Sequence, residues 1–239
     1  MIADLERDLA ECMQGYTRGK NPVLADALLA IARPDSFRSM LVELLASRDR
    51  LADIAERSLW HPNGFAKIVL LSHSSYKLRL HVWENAASES TVVEGHVHNH
   101  GWDFSTILLA GGYRHQEFRP AADGDKFFAY KYRSDVEPGA YSLVPAGNQI
   151  LRCVFDAYLS QGSRFTISSE VLHRVVPDAR QPTVSLVLQG PPQPSSDDVF
   201  APREVSETDV AEAAALPEDF LRHQLSAILP YLGANRSAP

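Results

Sequence analysis

Apolar residues recur at helical spacing through the first quarter of the chain. The segment "IADLERDLAECM" places Ile2, Leu5, Leu9 and Met13 on one stripe, as an amphipathic helix requires. The Asn-Pro pair that opens "NPVLADALLAIA" predicts a second helix, because proline is favoured at a helix start. The segment "PDSFRSMLVELLASRDRLADIAERSL" predicts one or two more. We therefore expect residues 1–60 to form a helical cap on the core of a larger fold.

The pattern changes near residue 65, where short runs of β-branched and aromatic residues alternate with turn residues. Runs such as "FAKIVLLS", "YKLRLHVWE" and "TVSLVLQG" are separated by Gly, Pro, Asn or Ser. About nine such runs predict a sandwich or barrel of mainly antiparallel strands over residues 61–192. Residues 193–239 are expected to complete the same single domain with a Pro/Ser-rich extended loop, which begins near 191 and ends near 206, and a helical segment interrupted near Pro217.

The composition limits the cellular compartment and the binding partners that we expect for the protein. The chain has 239 residues, a formal net charge of −7 and two cysteines, Cys12 and Cys153. An acidic balance is unfavourable for nucleic-acid binding, and two distant cysteines do not indicate a disulfide framework. The N-terminus does not resemble a signal peptide, and no run reaches the ~20 apolar residues of a membrane helix. We expect a cytoplasmic protein without nucleic-acid or membrane partners, and the sequence leaves its oligomeric state open.

Three of the nine histidines stand at alternate positions within "EGHVHNHGWDF". Alternate residues of a strand share a face, but glycines flank the run, so we expect only two of the three to converge inside. Alternation alone does not say which two. Imidazoles are good ligands for iron, zinc, copper and nickel, so this run is a candidate metal site.

The spacing around these histidines resembles the two sequence motifs of the cupin superfamily. The first motif is matched at His98, His100 and Gly111, and the second at Gly162 and His173. Residue types differ from the usual ones at Phe104, Ser168, Glu170 and Pro177. The resemblance implies a mainly β fold, a cupin-type (jelly-roll-like) β-barrel with an N-terminal helical cap and a C-terminal helical segment. It also implies that the metal ligands are His98, His100 and His173. His96 is then expected at the rim or, as the alternative, as a ligand in place of His100.

A more specific resemblance is to the cysteine dioxygenase family of thiol dioxygenases. The segment "LHRVVPDARQPTVSLVLQGPP" looks like the corresponding segment of that family, and "YKLRLHVW" is similar to the strand before its His-x-His pair. "HNHGWDFSTILLAGG" resembles its bacterial branch, and the likeness covers residues 65–192. It implies a non-heme Fe(II) centre held by three histidines, which binds a small anionic substrate together with O2.

Several positions depart from the pattern of that family. Its Ser-His-Tyr relay would fall on Ser185, Val187 and Gln189, so only the serine is kept. Its substrate-carboxylate arginine would fall near Ala66, beside Lys67, which leaves that role vacant or reassigned. We therefore expect a thiol or a specialised metabolite other than cysteine as the substrate.

Alternation along "YKLRLHVW" places Arg79 and His81 on one strand face, and the register of the resemblance turns that face inward. Buried charged groups need partners, and a substrate anion is one candidate; a solvent-facing strand is the alternative. His81 is the candidate catalytic base. The expected substrate-binding side chains are those of Arg79, Trp102, Phe104, Ser185, Val187 and Gln189. The histidines expected on the surface or in the cap are His61, His73, His115 and His223.

These observations predict an enzyme, a metal-dependent oxidoreductase of the dioxygenase type. Fe(II) is the expected cofactor, and Zn, Ni or Mn are the alternatives, because imidazole ligands suit several metals. The second hypothesis is a non-oxidative metal cupin, such as an isomerase or lyase, which the altered relay favours. The third is a binding cupin with a vestigial site.

Overall fold

The structure is a computed structural model that describes residues 1–19, 21–61, 63–84, 95–133, 142–193, 197–205 and 214–232. Parts of the predicted C-terminal loop and helical segment, at 194–196, 206–213 and 233–239, lie outside the described residues.

Four helices form the N-terminal part, as the apolar stripes predict. Pro34 stands at the first position of the third helix, where its missing N–H costs nothing. Ser47 caps the fourth, because its side-chain oxygen accepts a hydrogen bond from the backbone N–H of Arg50 at 3.3 Å. The helices are α1 (Ile2–Gln14), α2 (Asn21–Ile31), α3 (Pro34–Ala46) and α4 (Arg48–Arg57).

The strands form two antiparallel sheets, so the predicted mainly β fold class is confirmed. In chain order the strands are β1 (Leu59–His61), β2 (Phe65–His73), β3 (Tyr76–Trp83), β4 (Val97–His98), β5 (Phe104–Ala110), β6 (Gly112–Arg133), β7 (Ser142–Ser160), β8 (Arg164–Ile167), β9 (Leu172–Pro177), β10 (Thr183–Gln189) and β11 (Asp198–Ala201). The first sheet has the order β1-β2-β3-β10-β5-β8, and the second has the order β11-β4-β9-β6-β7.

The two sheets face each other and enclose an inner core. Phe65, Trp83 and Leu108 of the first sheet form a buried apolar cluster with Tyr113 of the second. The other face of the six-stranded sheet packs against the helices in the largest apolar cluster of the protein. The six-stranded sheet is therefore covered on both faces, by helices outside and by the five-stranded sheet inside.

Gly111 carries the chain from the first sheet to the second. Its φ is +68°, a conformation that favours glycine. A Cβ atom there would lie 2.2 Å from the carbonyl oxygen of Pro182, so backbone packing also excludes a side chain. This single residue ends β5 and lets β6 begin in the opposite sheet.

Two expectations about strand positions were wrong. The predicted Pro/Ser-rich loop contains β11, whose residues pair with both β4 and β6. The short strands expected between Gly112 and Ser160 are instead one long hairpin of β6 and β7, with three shifts of register along it. The shifts interrupt the alternation of apolar and polar residues, which is why the sequence pattern missed the length of both strands.

The C-terminal helix α5 (Glu218–Ile228) begins directly after Pro217, where the sequence predicts an interruption. Glu218 and Asp219 occupy its first turn, which suits the positive end of the helix dipole. A short 3₁₀ turn (Leu229–Leu232) follows. None of the described helices has the length and apolar character needed to cross a membrane.

Candidate metal centre

Three histidines converge between the sheets. His98 ends β4 and pairs directly with His173 on the neighbouring strand β9, while His100 lies two residues beyond β4. One ring nitrogen from each of the three lies within 4.8 Å of the others. This is the set that the cupin resemblance names, and its ligand atoms are close enough to share one ion.

Backbone hydrogen bonds fix the orientation of two of these rings. The Nδ1–H of His98 donates to the carbonyl oxygen of His96 at 2.9 Å, and the Nδ1–H of His173 donates to that of Val171 at 3.1 Å. A carbonyl oxygen can only accept, so Nδ1 carries the proton in both rings. Each Nε2 is then left with its lone pair, which is the form that a metal-binding imidazole needs.

Burial keeps the three rings neutral. It lowers the pKa of His98, and it holds the pKa values of His100 and His173 well below the ordinary range for histidine. The neighbouring imidazoles add to the effect in His100 and His173, because two protonated rings this close would repel. Protons therefore compete weakly for the ligand atoms near pH 7.

His96 is not a member of the converging group among the described residues. It is half-buried, and its backbone carbonyl supports His98 through the hydrogen bond described above.

Aromatic rings surround His100. The ring of Trp102 stacks on it with centroids 4.0 Å apart and planes inclined by 11°. Phe104 meets His100 edge-on at 5.5 Å and lies 5.6 Å from His173. Both aromatic side chains therefore wall the histidine cluster, and Val187 packs beside Phe104 in the same apolar group.

Arg79 also contacts the ring of Trp102. Its guanidinium carbon is 4.9 Å from the centroid of the Trp102 ring, an arrangement that allows a cation–π attraction. Its Nη2–H donates to the side-chain oxygen of Gln189. Gln189, predicted to contact substrate, is therefore the partner of the predicted substrate-binding arginine.

His81 and Ser185 lie directly opposite each other on β3 and β10. The Nε2 atom of His81 is buried and has no hydrogen-bond partner among the described residues. Burial is the largest cause of its strongly lowered pKa, followed by the positive charge of Arg79. Ser185 is 1% exposed, so its hydroxyl is part of the interior.

Asp103 has a structural role that sequence patterns did not indicate. Its carboxylate accepts hydrogen bonds from the hydroxyl of Tyr16 at 2.6 Å and from the backbone N–H groups of Ser169 at 2.6 Å and Gly19 at 3.3 Å. Its own backbone carbonyl accepts from the N–H of Gly190 at 2.9 Å. Asp103 thus joins the loop that carries His100 to the segment before His173 and to the end of the first helix.

Two of the four histidines expected on the surface or in the cap are inside. His61 is half-buried and stacks on Phe65 with centroids 4.4 Å apart. His115 is 2% exposed, and its ring centroid lies 5.9 Å from that of His173. His73 and His223 are exposed, as expected. Alternation along a single strand did not reveal the inward position of His61, because β1 is only three residues long.

No model of a known protein family and no curated protein matches this chain. Solved structures do match, at low similarity. A hydroquinone 1,2-dioxygenase in complex with Cd2+ and 4-hydroxybenzonitrile is 16% identical over 59% of this chain and 70% of that chain, with a TM-score of 0.32. The hydroquinone 1,2-dioxygenase from Sphingomonas sp. TTNP3, with 4-hydroxybenzoate bound, is 13% identical over 52% and 64%, with a TM-score of 0.29.

A protein with a double-stranded β-helix domain from Klebsiella pneumoniae subsp. pneumoniae is 11% identical over 62% of this chain and 93% of that chain, with a TM-score of 0.33. Likenesses this distant bring no substrate or reaction to the present chain.

Proposed function

We propose that His98, His100 and His173 bind a divalent transition metal, and that the protein is a non-heme iron-dependent oxygenase acting on a small anionic substrate other than cysteine. The convergence of three ring nitrogens within 4.8 Å supports this proposal most strongly. The backbone hydrogen bonds at His98 and His173 add to it, because they present Nε2 toward the cluster.

The donor set fits Fe(II), and also Zn, Ni or Mn, since neutral imidazoles bind all of these metals. The converging group among the described residues contains no carboxylate, so the full positive charge of the ion stays available to an anion. When bound, iron would supply open coordination positions and the redox chemistry with O2.

The side chains of this protein have separate tasks in that reaction. Trp102 and Phe104 exclude water from the side of the cluster that they cover. Arg79 attracts the anionic end of the substrate, and Gln189 holds the guanidinium in place. His81 accepts a proton at Nε2, which is buried, has no hydrogen-bond partner among the described residues and belongs to a neutral ring.

The second candidate is a non-oxidative reaction, an isomerisation or a lyase step, with Zn, Ni or Mn acting as a Lewis acid and His81 as the base. Gln189 favours it: the side chain at this relay position is hydrogen-bonded to Arg79 and cannot pass a proton as a tyrosine would.

The deciding experiment is elemental analysis of untagged protein, for the wild type and for His98→Ala, His100→Ala and His173→Ala. His96→Ala is the matched control, because His96 lies in the same run but outside the converging group. We expect near-stoichiometric metal in the wild type and the control, and loss in the three variants. Consumption of O2 after Fe(II) reconstitution would support the oxygenase. Zinc or nickel with no O2 uptake after reconstitution would support the second candidate. No metal even after reconstitution would reject both.

A further inference from the structure

Basic side chains gather on the inner face of the six-stranded sheet. Lys67 on β2 lies directly opposite His81 on β3, which lies opposite Ser185 on β10. Arg79 stands two residues before His81 on the same strand and therefore on the same face. Ala66 and Ile68, the neighbours of Lys67, point the other way into the core beneath the helices. Lys67 consequently shares the barrel interior with Arg79.

Arg79 has unused hydrogen-bonding capacity. It is 8% exposed, and Gln189 accepts a hydrogen bond from its Nη2. Its Nε–H is buried and has no partner among the described residues. A buried donor on a charged group costs free energy when it stays unpaired, so a ligand that accepts from it gains affinity.

Lys67 is half-buried and has neither an ion pair nor a hydrogen bond within the described part of the chain. Burial, together with the smaller effect of the positive charges of Arg79 and Lys77, lowers the pKa of its ammonium group to about 7. Lys67 is in turn the first of the neighbouring charges that lower the pKa of His61. Because Lys67 pairs with His81 across β2 and β3, and Arg79 is the next residue of β3 on that face, the ammonium and the guanidinium rise from neighbouring positions of one sheet face.

No carboxylate among the described residues forms an ion pair or a hydrogen bond with either cation. Two like charges in one partly buried place repel each other, and the repulsion weakens folding unless an anion binds between them. Arg79 also lies over the ring of Trp102, which stacks on His100, so this positive region borders the histidine cluster. A ligand with two negative charges would neutralise both cations at once.

We propose that Lys67 and Arg79 bind a tetrahedral phosphoryl-type dianion, such as the phosphate or phosphonate group of a small molecule, next to the three-histidine cluster. A tetrahedral group fits better than a carboxylate because its oxygens can accept from donors on different strands, and a single carboxylate neutralises only one cation. That this molecule is the substrate rests on the proposed function. The anion site itself needs only the inner face of β2 and β3.

The test is calorimetric titration of the full-length, metal-free protein with inorganic phosphate. We expect binding by the wild type that weakens roughly tenfold or more in Lys67→Gln and in Arg79→Gln, the loss of one charge-assisted hydrogen bond. Lys126→Gln, which removes an exposed lysine of the β6–β7 hairpin, is the matched control and should bind as the wild type does. If Arg79→Gln fails to fold, Lys67→Gln decides the question, because Lys67 is half-buried and makes no hydrogen bond to a described residue.

Methylphosphonate is titrated beside phosphate to separate an organic ligand from the free ion. One corner of the tetrahedron must carry the rest of a substrate, so we expect methylphosphonate to bind at least as tightly. Much weaker binding would overturn the substrate assignment in favour of free phosphate. No phosphate binding by the wild type, or equal binding by Lys67→Gln, would overturn the site.

His98→Ala separates this inference from the proposed function. The variant should lose metal and keep phosphate binding. If the protein retains no metal but binds phosphate through Lys67, the proposed function is rejected and the anion site is supported. A protein that retains iron but does not bind phosphate would support the proposed function and overturn the anion site.

Discussion

The two faces of β2, β3 and β10 are opposite in character although the same strands build both. The outer face carries Ile68, Leu78, Leu80, Leu186 and Leu188, all 0% exposed and packed with the helices. The inner face carries Lys67, Arg79, His81, Ser185 and Gln189.

The contrast separates the source of stability from the source of chemistry. Each buried leucine on the outer face contributes about 1.5–3 kcal/mol relative to an exposed one. Polar groups on the inner face lose their hydrogen bonds to water when they are buried. That cost in free energy is offset only where the groups find hydrogen-bond partners in the protein. The helices therefore supply the apolar cover that lets the opposite face keep charged, incompletely paired side chains.

The largest effect is expected on the outer face. Leu80→Ala should lower the free energy of unfolding by about 2–5 kcal/mol, because it leaves a cavity between the sheet and the helices. Urea titration measures the loss. Val42→Ala is the control, since Val42 is 48% exposed on α3 and should change stability little. A loss at Leu80 no larger than at Val42 would contradict the assignment of the stabilising core to this face.

Asp103→Asn should lower the free energy of unfolding by about 1–3 kcal/mol, because a neutral amide accepts less strongly and faces its N–H groups toward other donors. Tyr16→Phe removes one of the donors and should cost less, about 1 kcal/mol. Metal retention should fall with the first change more than with the second. If both variants match the wild type in urea titrations and in metal content, Asp103 does not hold the ligand segments together.

On the inner face, Gln189→Leu alone should lower the free energy of unfolding by about 1 kcal/mol, because Arg79 loses its partner. The double change Arg79→Met with Gln189→Leu should restore stability to the wild-type level or above it, because burying an apolar pair carries no desolvation penalty. The double variant should still lose phosphate binding. A double variant less stable than the single one would mean that this pair stabilises the fold.

The last effect concerns pH. The folded protein lowers the pKa of Lys67 from 10.5 to about 7, so between these values the unfolded chain binds more protons. The contribution of Lys67 to the free energy of unfolding should therefore rise as the pH increases from about 7 to 10.5. The groups that face it are Arg79, Lys77, His61 and His81. Urea midpoints at pH 7 and pH 9.5 should differ less in Lys67→Met than in the wild type. An equal difference would exclude Lys67 as its source.

Sequence patterns predicted the parts of the molecule that depend on local spacing. The four N-terminal helices follow their apolar stripes, and the two motif glycines Gly111 and Gly162 both adopt positive φ. The alternation of Arg79 and His81 against Leu78 and Leu80 predicted the two faces of β3 correctly. The spacing of the histidines also led to the three rings that converge.

The features that the sequence missed depend on contacts between distant segments. The pairing of β2 with β3 places Lys67 on the inner face. Alternation within β2 alone does not say which of its two faces is turned toward the histidines. Asp103 has no motif, and its partners come from the end of α1 and from the loop before β9. β11 lies in a Pro/Ser-rich segment and is a strand because two neighbours supply its hydrogen bonds.

The hydrogen bonds of Asp103 also bear on when the site forms. Asp103 joins Tyr16, 87 residues upstream, to Ser169, 66 residues downstream. At a synthesis rate of roughly 5–20 residues per second, several seconds separate the emergence of His100 from that of the segment holding His173. During that interval the nascent chain holds the first two histidines without His173, and the edges of β3 and β5 that later pair with β10 remain unpaired. Long-range closure of this kind slows folding, so the metal centre is expected among the last parts of the protein to mature.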